Sequence, residues 1–253
     1  MMFQRAPRAL ALAVLALLIA GIVFVLARSG GSTLPPRAGN ARPQLLLLTT
    51  LPIVFPEQLT LDAPASPVLA ALERRYRVEP ISTADAADLR GARLLLMAQP
   101  QAQPAGALVD LDRWVRQGGS VLLLADPALA WPSERPLGDM LRPPTTFADT
   151  GLLQHWGLRL LGADPSSQPQ VKIRGTPVDV RSAGALIAAD RRCRISDGGL
   201  IARCSIGKGR ATVIADADLL RGRDAGDGAG LRKLLLEWLA ELERPANLQV
   251  SSA

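Results

Sequence analysis

The stretch that decides the fold is "RQGGSVLLLADPALAW", Arg116 to Trp131. Gly118 stands where a helix C-terminus favours a left-handed residue. Ser120 to Ala125 is then a continuous apolar run with no period-two alternation. Such a run predicts a strand buried on both faces, as in a parallel sheet covered by helices. It ends at Asp126-Pro127, at the carboxyl end of a strand, where open α/β sheets place their ligands. Hydrolases of this architecture carry a Cys or Ser nucleophile on a sharp turn at such a place, and here there is an Asp followed by a Pro.

Upstream, "PAGALVDLDRWVRQGG" (Pro104–Gly119) predicts an amphipathic helix with Leu108, Leu111, Trp114 and Val115 on its buried side. Before it, "QLLLLTT" predicts a buried strand, and "PVLAALERRY" a helix with Val68, Leu69 and Leu72 on one face. "RVEPIS" reads as a short strand, and "ADAADLRGARLLLMAQP" as a helical turn ending near Gly91 followed by a strand, Ala92 to Ala98. Strands alternating with helices imply a parallel sheet with right-handed crossovers. Downstream the character changes. Pro127 to Phe147 is long, Pro-rich and irregular, and loops of that kind are usually functional or linking. "TGLLQHWGLRLL" predicts a helix stopping at Gly157 and then a strand. Val171 to Ala189 suggests short strands, "CRISDGGLIARCSIGKGRATVIADAD" a three-stranded meander, and "GLRKLLLEWLAELERP" a closing amphipathic helix. Residues 44–244 are thus expected to form one mostly parallel α/β domain with a C-terminal β-meander.

Cys193 and Cys204 flank "RISDGGLIAR". If Gly198–Gly199 is the loop, the two cysteines lie opposite each other, at a separation a disulfide accepts. A bridged pair implies an oxidising compartment. Zinc is not expected, because His155 is the only histidine.

The first 28 residues, "MMFQRAPRALALAVLALLIAGIVFVLAR", carry an uncharged run from Ala9 to Ala27 between Arg8 and Arg28. About 20 apolar residues suffice to cross the hydrocarbon core, and Val25-Leu26-Ala27 matches a cleavage site poorly. An uncleaved signal-anchor is expected, with the amino terminus inside. The rest of the chain would then stand in the periplasm, tethered by the Gly/Pro-rich segment 29–43, with residues 245–253 as a polar tail. The net charge of +6 and pI near 10.3 first suggest a nucleic-acid partner. That reading is set aside, because the arginines are spread singly among Asp and Glu and aromatics make up only 4%. The excess charge reads as a solvated surface.

For chemistry, Asp126 could act as a general base or metal ligand. With no partner in view, capping of backbone amides in the turn is the simpler reading. Asp216 and Asp218, in "VIADADLL", place two carboxylates on one face of an extended segment and form the best metal candidate of the chain. Capping of the following helical segment is again simpler. "GKGR" (Gly207–Arg210) lacks the Walker pattern and reads as a hairpin turn. Neither His155 nor Ser133 makes a convincing triad, and no cofactor is implied.

Taken together, "LDRWVRQGGSVLLLADP", "LLQHWGLRL" and "IGKGRATVIADADLL" resemble the soluble domain of gliding-motility-type (Gld-family) auxiliary components of uncharacterised ABC transport systems. The resemblance spans roughly Gln44 to Glu243. It implies a class I glutamine amidotransferase-like, flavodoxin-like fold, whose catalytic members carry a Cys elbow after the strand that follows the Gly-Gly turn. Here Ala125-Asp126-Pro127 stands at that place, and Pro has no N–H to help hold an oxyanion. The resemblance therefore implies a non-catalytic accessory protein of the inner membrane, with permease, ATPase or other envelope subunits as partners. Its contact surface would be Asp126 to Phe147, with Asp126, Pro127, Trp131, Asp216 and Asp218 as candidate contacts and Trp131 as aromatic anchor. Many members of that family carry a further membrane segment near the C-terminus, whereas this chain ends in polar "ERPANLQVSSA". The competing expectation is a metal-assisted hydrolase of an envelope substrate, with Asp126, Asp216 and Asp218 gathering the metal.

Overall fold

The apolar runs pair into a seven-stranded sheet in the order β2-β1-β3-β4-β11-β10-β9 in the computed structural model. The structure describes residues 34–57, 66–162, 170–180, 183–221 and 228–244. The N-terminal apolar run and the polar tail lie outside them. Among the described residues no helix is long and apolar enough to cross a membrane.

Five strands run parallel: β1 (Gln44–Thr49), β2 (Arg77–Pro80), β3 (Leu94–Ala98), β4 (Ser120–Leu124) and β11 (Gly209–Ile214). The meander β9 (Cys193–Ser196), β10 (Ile201–Ile206) and β11 is no separate layer. It extends the same sheet through the parallel pairing of β11 with β4, Arg210 opposite Ser120. The central strands are continuous aliphatic runs because both faces are covered, and Leu45–Leu48, Leu94–Met97 and Val121–Leu124 are buried throughout. Each such Leu is worth about 1.5–3 kcal/mol in apolar surface removed from water.

Helix α1 (Pro67–Glu73) links β1 to β2, and α2 (Ala105–Arg116) links β3 to β4. The two steps run in opposite directions along the sheet, so right-handed crossovers place the helices on opposite faces. The final helix, α4 (Gly228–Glu243), packs on α1 and therefore shares its face, lying over β3, β4 and β11. One of the sequence expectations shifts in detail. The buried stripe of α2 is Ala107, Leu111 and Val115, with Leu108 and Trp114 half-covered at its margins. Between β2 and β3 the expected helical turn is present, with Leu89 N–H donating to Asp85 O at 3.0 Å and the turn ending at Gly91, where φ is 79°. A short helix α3 (Leu152–His155) does stop at Gly157, where φ is 84°. Two small antiparallel pairs, β5 (Leu158–Leu161) with β8 (Ala185–Ala188) and β6 (Gln170–Ile173) with β7 (Thr176–Asp179), complete the described elements.

Cys193 and Cys204 form a disulfide, their Cα atoms 4.0 Å apart. The loop takes in Asp197 to Leu200 rather than two glycines alone, yet the register is that of a turn centred on Gly198–Gly199, with Cys193 opposite Cys204. A backbone bond from Ser205 N–H to Arg192 O flanks the pair. The cysteines thus occupy a non-hydrogen-bonded position, where opposed side chains approach closest.

Gly209 opens β11 beneath the end of α2, and a Cβ there would overlap the carbonyl oxygens of Val115 and Gly119. Gly106, on the first turn of α2, has open space around it. Chemical denaturation should therefore show Gly209→Ala destabilised by about 1–3 kcal/mol or more. Gly106→Ala should instead gain roughly 0.5–1 kcal/mol from helix propensity.

Candidate functional site

The carboxyl ends of the strands are tied together by side chains that bind backbone. Asp126, just past β4, is fully buried. Its Oδ1 accepts from Ala128 N–H at 2.8 Å, and its Oδ2 from Ala217 N–H at 2.9 Å and Asp218 N–H at 3.4 Å. Gln99, at the end of β3, adopts φ 44°, an uncommon left-handed conformation for a residue with a Cβ. Its side-chain amide meets both backbone groups of Asp126: Oε1 accepts from the N–H at 2.9 Å, and Nε2 donates to the carbonyl at 3.1 Å. The same Nε2 donates to Pro144 O at 3.1 Å. Asp216 Oδ1 accepts from Leu219 N–H at 2.9 Å and caps the 3-10 turn Asp218–Leu220. Asp218 Oδ2 accepts from Ala130 N–H at 2.7 Å.

These contacts correct the view of Asp126, Asp216 and Asp218 as a contact surface. All three are buried, and the bonds above turn them toward amides of the chain itself. Among the described residues no group of three or more His, Cys, Asp or Glu is placed to hold a metal ion. Pro127 packs at Gly184, where an added Cβ would come within 2.7 Å of the Pro127 ring. The long loop after β4 closes on itself through Leu129 N–H to Thr145 O and Phe147 N–H to Asp126 O. Asp218 thereby holds the residue preceding Trp131.

Trp131 is the one sequence-nominated residue that reaches an open site. It lines a cleft of about 620 Å³ together with Leu51, Val54, Phe55, Ile81 and Met140. The chain leaves β1 for β2 on one side and crosses to β3 on the other, so the cleft lies at the topological switch point of the sheet. That position depends on strand order, which the sequence left open. The apolar, Pro-flanked stretch after β1, "TTLPIVFP" (Thr49–Pro56), was the available signal.

Most of the polar side chains around the cleft bond to one another or to backbone, the exposed Ser82 apart. Thr50 donates to Gln99 O at 2.5 Å, and Gln101 Nε2 to Met140 O at 3.0 Å. Gln103 accepts from Ala84 N–H at 3.0 Å and donates to Gln101 O at 3.2 Å. The Ser133 hydroxyl donates to Glu57, which Arg135 also engages, through Glu57 O at 3.0 Å. The Ser133 bond is the main reason the Glu57 carboxyl titrates below its ordinary range. Apolar side chains, by contrast, stand open: Phe55 is 70% exposed and Met140 83%. His155 lies elsewhere, 3.3 Å from Asp112 and 3.2 Å from Arg116 on the surface of α2.

Residues 65–239 match a family described as a domain of unknown function, DUF4350. The chain belongs to that family. No curated protein matches it. Among solved structures, this DUF4350 chain is similar to the mmIFT52 N-terminal domain, with a TM-score of 0.51 at 12% identity over 78% of this chain and 96% of that one. At that identity the likeness shows the fold alone. The exo-beta-1,4-mannosidase Op5Man5 from Opitutaceae bacterium strain TAV5 gives a TM-score of 0.47 at 12% identity, over 79% of this chain and 36% of that one. A beta-galactosidase from Bacillus circulans sp. alkalophilus gives 0.45 at 12% identity, over 82% and 32%. The DUF4350 chain thus spans about a third of each of those two glycosidases.

Burial pushes the Asp126 carboxyl up to about 6, against the pull of the Ala217 and Ala128 amides; nearby Asp218 adds to the rise. The folded state therefore holds this proton more tightly than the unfolded chain. The resulting stability is full below about pH 4 and is lost as pH rises through 6. Relative to Asp126→Asn, the wild-type protein should lose on the order of 3 kcal/mol of unfolding free energy between pH 4 and pH 7, measured by denaturant titration of both.

Proposed function

We propose that this chain is a membrane-tethered, non-catalytic binding component of an ABC-type transport or cell-envelope complex, and that its cleft receives an uncharged, apolar segment of a partner subunit. The observation that carries this reading is that most polar side chains of the cleft are already bonded, largely to backbone, while its apolar side chains stand open. An enzyme site needs polar groups aimed at the reacting atoms. A cleft whose polar side chains are for the most part already engaged, with Phe55 and Met140 exposed and Trp131 half-exposed beside it, favours an occupant recognised by apolar contact.

Further support comes from three sides. The parallel strands run in the order β2-β1-β3-β4, then β11. That is the flavodoxin-like order, in line with the amidotransferase-like fold implied by the Gld-family resemblance. At the place of the catalytic elbow in that resemblance stand a buried Asp126 bound to amides and a Pro127 without an N–H. The disulfide suits the periplasm, and Ala9–Ala27 would supply the anchor. The hydrolase alternative gains no comparable support, because its three carboxylates cap backbone.

A photo-crosslinking residue placed at Phe55 or at Met140 in living cells should capture the same envelope polypeptide, and one at Gln117, at the opposite end of the sheet, should not. Trp131→Ala should weaken binding of that polypeptide by about 30-fold, the scale of an interface anchor. Capture of unrelated proteins from the two cleft positions, or unchanged affinity in the Trp131 variant, would refute the reading.

A further inference from the structure

Basic residues far apart in the sequence gather in space at the amino end of the sheet. In strand order, Arg77 opens β2, Arg42 precedes β1, Arg93 precedes β3 and Arg116 precedes β4. Lys208 occupies the β10–β11 turn and Arg192 precedes β9. The backbone confirms that these positions are neighbours. Arg77 N–H donates to Pro43 O, Ser120 N–H to Arg93 O, Lys208 N–H to Arg116 O, and Ser205 N–H to Arg192 O. Seven strands at about 4.8 Å spread the row over roughly 30 Å.

All of these side chains except Arg42 are exposed. Near the row Asp112 pairs with Arg116, Asp190 with Arg192 and Glu243 with Arg37, each at 2.7 Å, while Glu79 on β2 accepts from Gln44 at 2.7 Å. Among the described residues Arg77, Arg93 and Lys208 make no ion pair. Complementing helix dipoles accounts for a basic residue at a helix C-terminus, such as Arg74 after α1 or Arg116 in α2. It does not account for Arg77, Arg93, Lys208 or Arg192, which stand before strands.

We propose that this basic row is a docking face for an anionic bilayer surface. Two observations select lipid over nucleic acid. The chain enters the sheet at this same end, where Arg37 N–H bonds Arg74 O ahead of β1, and the apolar run Ala9–Ala27 precedes it in sequence. The disulfide points to an oxidising compartment, away from nucleic acid. The inference rests on the anchor assigned under the proposed function. It goes beyond that reading by giving the opposite end of the sheet a partner of its own.

The test uses the full chain, disulfide intact, with a fluorophore at Gln117→Cys beside the row, or at Met140→Cys as the distant control. It is mixed with vesicles of phosphatidylcholine alone or containing about 30% phosphatidylglycerol, and quenching by a headgroup-attached quencher is read. Alkaline carbonate extraction of the same vesicles reports the anchor separately. Quenching at Gln117 should need phosphatidylglycerol, disappear in roughly 0.5 M salt, and fall about tenfold or more in Arg77→Gln/Arg93→Gln/Lys208→Gln. Equal quenching on both lipids, or an unaffected triple variant, overturns the proposal. So does preferential, steeply salt-dependent retention of the chain on DNA. If carbonate strips the chain, the anchor fails, and flotation on the two kinds of vesicle still decides the row.

Discussion

The buried carboxylate of Asp126 is the constraint on which the carboxyl end of the molecule depends. It sits past β4 and accepts from amides past β11, so the ends of two neighbouring parallel strands are joined by one side chain. Gln99 adds the end of β3 by binding the backbone of the same residue on both sides. Three strand ends and the closing loop are thus fixed against each other by side chains in addition to the backbone bonds there. The desolvation that this requires is large enough to push the carboxyl up to about 6. The left-handed Gln99 is tolerated where its side chain makes three hydrogen bonds that an extended residue in its place would not reach.

This clasp also explains why the loop after β4 can carry an aromatic residue to a defined place. The loop is long and irregular, yet it returns to its origin through Phe147 and Thr145 and is held at Ala130 by Asp218. Trp131 follows immediately. The acidic residues that suggest chemistry in the linear sequence therefore have a structural part, with Asp218 helping to set where Trp131 meets the cleft.

The sheet, its helices and the cysteine register were legible because each depends on local pattern. Unbroken aliphatic runs mark strands covered on both faces, and Asp197-Gly198-Gly199 centres a turn whose symmetry places Cys193 against Cys204. The cleft was not legible, because it forms where β1 and β3 become neighbours, and only strand order determines that. For Asp126 the capping of amides in its own turn was legible, but its burial was not, because the amides that cover it belong to a segment some ninety residues later. The gathering of basic residues was likewise illegible, because only strand order and direction bring Arg77, Arg93 and Lys208 to one end of the sheet.

The covalent bond between Cys193 and Cys204 joins the outermost strand to its neighbour. A marginal strand is ordinarily the first to peel away and the easiest to trade with another copy of the same chain. Here β9 cannot leave without β10, and β10 is itself paired along its whole length with β11. One rim of the sheet is therefore sealed against swapping for as long as the surroundings stay oxidising.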